Sequence, residues 1–88
     1  MELVTLTPAI RAERGIRSPR GALIYRASDR VTEELGMSPG DVIVQINRTP
    51  VTSAEDVTRA LDYYAGKGTI RVFFEHEGSI YPTDFFIR

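Results

Sequence analysis

His76 is the only histidine of the chain, and it stands between two acids in Glu75-His76-Glu77-Gly78. Hydrolytic chemistry needs a nucleophile, a base and a group that orients the base, all within reach of one another. This segment reads instead as an exposed hairpin turn, and the sequence has no Gly-x-Ser-x-Gly elbow. Glu33 and Glu34 are adjacent, so on a helix they diverge and cannot work as a catalytic pair. Zinc takes several histidine, cysteine or carboxylate ligands, which one histidine and no cysteine cannot supply. Gly66-Lys67-Gly68 lacks the spacing of a phosphate-cradling loop and reads as a helix-end turn. No catalytic residue, metal site or cofactor is expected, and the chain is read as non-catalytic.

Charge narrows the partners. The net charge is −1, without the basic excess that nucleic-acid binding needs. Tyr63, Tyr64, Phe73, Phe74, Phe85 and Phe86 fall in a predicted helix and strands, which favours core packing over base stacking. Arg11, Arg14, Arg17, Arg20, Arg26 and Arg30 crowd the first third of the chain. They read as a solvated face, with a contact surface for an acidic partner or neighbouring domain as the alternative. No apolar run approaches the ~20 residues of a membrane span, and no signal peptide is visible. Neither nucleic acid nor membrane contact is expected, and the chain reads as a fragment of a longer protein.

What remains is the chemistry of the backbone, so the elements that would expose it matter. Leu3 to Leu6 reads as a short strand. Thr7-Pro8 starts a helix that Gly15 closes, because threonine caps and proline suits the first helical position. After the turn Arg17–Gly21, Ala22 to Arg26 is an apolar and therefore central strand. Ser28 caps a second helix ending before Gly36. Ser38-Pro39-Gly40-Asp41 turns into the strand Val42 to Ile46, and Asn47-Arg48 turns again. Ser53 caps the clearest helix, Ala54 to about Ala65, with Asp56 in a capping-box-like position and Val57, Ala60, Leu61 and Tyr64 on one stripe. Thr69 to Glu75 and Ser79 to Ile87 form a hairpin, and Phe85-Phe86-Ile87-Arg88 reads as the end of the last strand. The expected fold is α+β: a small five-stranded, partly open barrel or bent sheet flanked by two or three helices, one domain over residues 1–88. A chain this short buries roughly 60–65% of its unfolded surface, so its core is thin.

Several stretches resemble one family. Met37-Ser38-Pro39-Gly40-Asp41-Val42-Ile43-Val44-Gln45-Ile46-Asn47 resembles the Gly-Leu-x-Pro-Gly-Asp-Val-Ile segment of bacterial PDZ domains, and Val51 to Val57 with Leu61 is similar to the helix that follows it. Gly21-Ala22-Leu23-Ile24 and Leu6 to Ile16 resemble segments of the PDZ domains of HtrA/Do-like serine proteases. The match runs over nearly the whole chain in order. It departs at Arg48, where the family has glycine; at Ser28 to Gly36, which is longer and has Asp29 in place of proline; and at Met1 to Val4, too short to hold the family's carboxylate-binding loop.

The resemblance implies a peptide-binding module attached to an HtrA-like protease in the bacterial periplasm or envelope. An extended polypeptide would add as a strand to an exposed sheet edge. The receiving edge would be Leu3, Val4, Thr5 and Leu6, and the opposite wall the Ala54–Ala65 helix, with Val57 and Leu61 lining pockets and Ala54 and Thr58 at the rim. Partners would be polypeptide C-termini or unfolded segments and the parent's protease domain. Without the carboxylate loop, weak binding with an apolar C-terminal preference is expected. The alternative is a regulatory or assembly domain whose groove is closed and which meets a neighbouring domain.

Overall fold

Three hydroxyl side chains start the three helices. Thr7, Ser28 and Ser53 have extended backbones, and their oxygens accept the N–H of Ile10, Val31 and Asp56, each at 3.2 Å. The computed structural model, which describes residues 1–87 apart from the side chains of Phe85 and Ile87, places the helices at Pro8–Arg14 (α1), Asp29–Leu35 (α2) and Ala54–Tyr64 (α3). The expected capping box at α3 forms by half. The Asp56 carboxylate takes up Thr52 in place of the Ser53 N–H, accepting from Thr52 N–H at 2.8 Å and Thr52 Oγ1 at 2.6 Å. Those bonds from Thr52 hold the Asp56 carboxyl below its ordinary pKa.

The strands are Glu2–Thr5 (β1), Ala22–Arg26 (β2), Val42–Ile46 (β3), Thr49–Pro50 (β4), Gly68–His76 (β5) and Ser79–Ile87 (β6). They form an open antiparallel sheet in the order β1-β2-β3-β5-β6, with β4 paired to β3. The fold is α+β as expected, with six strands rather than five. Two residues ending in proline carry no strand periodicity, which is why β4 leaves no mark in the sequence. Leu6, expected inside the first strand, lies just past it: its N–H still donates to Gly21 O at 2.9 Å, but its side chain turns into the core. Arg88, read as part of the last strand, lies outside the described residues.

One sheet face, with Ile24, Ile43, Ile46, Ile70, Val72 and Phe74, packs against Val57 of α3 and Met37. The other face buries Leu6, Leu23 and Val42 beneath Ile10 and Ile16, the apolar side of α1 and its following turn. Tyr63 and Phe86 are corrections to the aromatic-core expectation, at 64% and 61% exposure. Tyr63 sits on the outer side of α3, and Phe86 on the sheet face turned from Ile70 and Val72. Phe74 is buried, Tyr64 and Phe73 are half-buried, and the Phe85 side chain lies outside the described residues.

The turns show where special backbone is required. At Gly21, φ is +146°, and a Cβ there would meet the Ile43 carbonyl oxygen at 2.6 Å, so only glycine lets β2 start this close to β3. The Asn47-Arg48 turn does without the family's glycine because Asn47 takes the positive φ, at 53°. Its Oδ1 then accepts from Arg71 N–H at 2.9 Å while its N–H donates to Arg71 O at 2.7 Å, joining the turn to β5. The hairpin loop is Glu77-Gly78, both with positive φ, the turn whose twist matches a two-stranded ribbon. His76 is therefore the last residue of β5 and half-buried, not an exposed turn residue. Its Nδ1 lies 2.6 Å from Oδ1 of the buried Asp41.

Candidate functional site

β1 has β2 on one flank and, among the described residues, no strand on the other. Along a strand the peptide groups of alternate residues point to the same side. Leu6 N–H points at Gly21, so the N–H and C=O of Thr5 and Leu3 point the opposite way, to the open flank. The register Leu3↔Ile24, Val4↔Leu23, Thr5↔Ala22 sorts the side chains. Leu3 and Thr5 share the face of Ile24 and Ala22, toward α3, whereas Val4 shares the face of Leu23 and is exposed. A bulge between Glu2 and Leu3 twists the start of the strand.

α3 lies beside that flank and is fastened to it at one end. Thr5 Oγ1 accepts the N–H of Ala54 at 3.0 Å, one of the helix-end donors that has no partner within the helix, and approaches Glu55 Oε2 at 3.5 Å. The anticipated residues separate by depth. Leu3 and Leu61 are half-buried against the main core, each with part of its side chain in solvent beside the open flank. Ala54 is half-buried at the fastened end, and Thr58, one turn on, is exposed. Val57 is 1% exposed, so it supports the cleft from beneath and offers no surface to a ligand. Leu6 is likewise buried, on the α1 side, away from α3.

A concavity of about 680 Å³ lies on the opposite flank of α3, lined by Thr49, Pro50, Asp56, Arg59 and Tyr63 among others. Sequence reasoning did not anticipate it because β4, one of its walls, was not visible. Among the described residues no group of three or more metal-ligating side chains is gathered, and no helix is long and apolar enough to cross a membrane. Glu55 frames the cleft without having been anticipated, and Glu2 stands at the start of the same strand as Thr5. Glu2 reaches Arg26 on β2 at 3.3 Å. Their one sequence signal was position: the start of a strand and the first turn of a helix.

No protein-family model matches the chain. Over 66 residues it is 38% identical to the mitochondrial serine protease HTRA2 of Bos taurus, a match taking in 67% of this chain and 14% of that protein. The chain thus spans a small part of the relative it matches, and that relative is mitochondrial, not bacterial. In sequence, the chain is related to a segment of an HtrA-type serine protease.

Proposed function

We propose that the chain is a non-catalytic, PDZ-like module of a longer HtrA-type protease, and that it captures extended polypeptide segments by strand addition at β1. The observation that carries this reading is the open flank of β1, with the peptide groups of Leu3 and Thr5 turned outward beside α3. A visiting strand would complete those hydrogen bonds whatever its sequence, and the exposed parts of Leu3 and Leu61 would favour apolar side chains on its inner face. The similarity to a serine protease supports the parentage, and the small share of that protein that is matched supports a non-catalytic part.

The test is a titration of the ¹⁵N-labelled chain with apolar peptides bearing free or amidated C-termini. Leu3 and Thr5 amide signals should shift with both. Backbone pairing along β1 does not distinguish a free from an amidated terminus, so the two affinities should be weak and similar. Shifts confined to residues away from β1 and α3 would sink the reading. A second reading, a module that meets a neighbouring domain, draws on the Thr5–Ala54 hydrogen bond, which draws strand and helix together at one end. It predicts that added protease domain, and no free peptide, moves the same signals.

A further inference from the structure

We propose that Glu55 makes the cleft between β1 and α3 selective for segments carrying a lysine or arginine beside Thr5, and selective against acidic ones. The inference rests on the strand-addition reading above and names the ligand class for the same site. Glu55 is exposed, and its Oε2 lies 3.5 Å from Thr5 Oγ1. The bond from Ala54 N–H to Thr5 Oγ1, at 3.0 Å, fixes this end of the helix against the strand. A negative charge is thereby held at the place where the outward peptide group of Thr5 would receive a visiting chain.

That charge is uncompensated. Among the described residues Glu55 takes part in no ion pair, and Arg59, Lys67 and Arg26 each have another partner. Arg59 pairs with Asp56 at 3.2 Å on the opposite flank of α3, Lys67 lies over the Tyr63 ring at 3.9 Å, and Arg26 pairs with Glu2. Asp62, seven residues after Glu55 and so two turns along the same flank of the helix, adds a charge of the same sign. Side chains of an added strand alternate in direction, so one residue in each bound register falls beside Thr5 and Glu55. A cationic side chain there gains an ion pair, and an acidic one meets like charge. Glu55 also sits in the first turn of α3, where a carboxylate favours the helix whether or not a ligand is bound. That second role cannot discriminate between peptides, which makes selectivity the deciding measurement.

The probes are fluorescein-labelled peptides of alternating valine and serine in which one position at a time is lysine, glutamine or glutamate. Binding to the full chain is read by polarisation, and its location by the amide signals of Leu3 and Thr5. At one position the lysine peptide should bind about threefold more tightly than the glutamate peptide, the size of an exposed charge pair. The difference should vanish near 1 M salt, where the screening length is about 3 Å. Glu55→Gln should abolish the difference and Glu55→Lys should reverse it. Lysine and glutamate peptides of equal affinity at every position, or a preference that persists in Glu55→Gln, would overturn the charge selectivity while leaving strand addition standing. If no peptide moves the Leu3 and Thr5 signals, both ideas fall together.

Discussion

Glu75 is 5% exposed because one loop surrounds its carboxylate with donors. Arg17 N–H at 2.9 Å, Ser18 N–H at 2.7 Å and the Ser18 hydroxyl all point at it, and Arg11 Nε ties the same loop through Ser18 O at 2.7 Å. Burial pushes the Glu75 carboxyl up, but these hydrogen bonds and the nearby Arg17 outweigh it and hold the group below the ordinary carboxylate range. Glu75→Ala should therefore leave three donors, two of them buried, without a partner and cost about 3 kcal/mol in urea unfolding, with Glu75→Gln, which keeps one acceptor oxygen, costing less. A Glu75→Ala chain as stable as the parent would show that the loop finds other acceptors. None of this was legible in the sequence. An acid closing an alternating strand reads as solvent face, and its partners stand 57 and 58 residues away. The helix caps Thr7, Ser28 and Ser53 were legible because their bonds close within three residues.

At the scale of elements, the two ends of the sheet are built differently. The two-residue hairpin loop makes His76↔Ser79 a hydrogen-bonded pair, so Tyr81 and Thr83 also face β5, while Ile80, Pro82 and Asp84 turn their peptide groups outward. Pro82 thus removes a donor from the free edge of β6 at no cost to the ladder with β5. Asp84, held by Arg71 at 2.8 Å, puts charge on the same edge. Edges blunted by proline and charge resist pairing with other chains. β1 has neither device along Leu3 to Thr5, which is the physical contrast between an edge closed to visitors and one left open. Pro82→Thr should restore the outward donor and raise self-association, read as a higher apparent mass in sedimentation at high protein concentration, with the circular dichroism of the monomer unchanged. A variant that stays as monomeric as the parent would mean that β6 is protected by something other than its proline. Most strands were legible from alternation, as at Ile70, Val72 and Phe74. Which strands lie at the edges was not, because sheet order depends on contacts between segments far apart in sequence, and only the family resemblance pointed to β1.

The whole molecule joins its two halves through carboxylates, and this fixes how its stability depends on pH. Asp41, in the turn before β3, accepts from Ser38 N–H at 2.9 Å and pairs with His76 at the end of β5 at 2.6 Å. The hydrogen bond and charge of Asp41 raise the pKa of His76 above 6.5, with Glu77 adding a smaller push in the same direction. A raised histidine contributes stability that is fully present below its unfolded value and disappears as pH climbs through its folded value. Glu75 works the other way. Its lowered carboxyl contributes stability above 4.5, which is lost as pH falls through the folded value, and Asp56 and Asp84 act in the same sense from 3.8. Stability should therefore peak between about pH 5 and pH 6.5, falling on the alkaline side as His76 loses its proton and on the acid side as the carboxylates gain theirs. The two limbs have separate owners, so they can be removed separately. His76→Gln should flatten the alkaline limb and leave the acid limb in place, and Glu75→Gln should reduce the acid limb and leave the alkaline one. Urea midpoints of the parent and both variants across pH 3 to 9 would decide it, and an alkaline limb that survives in His76→Gln would mean that the Asp41–His76 contact does not hold the hairpin to the turn before β3.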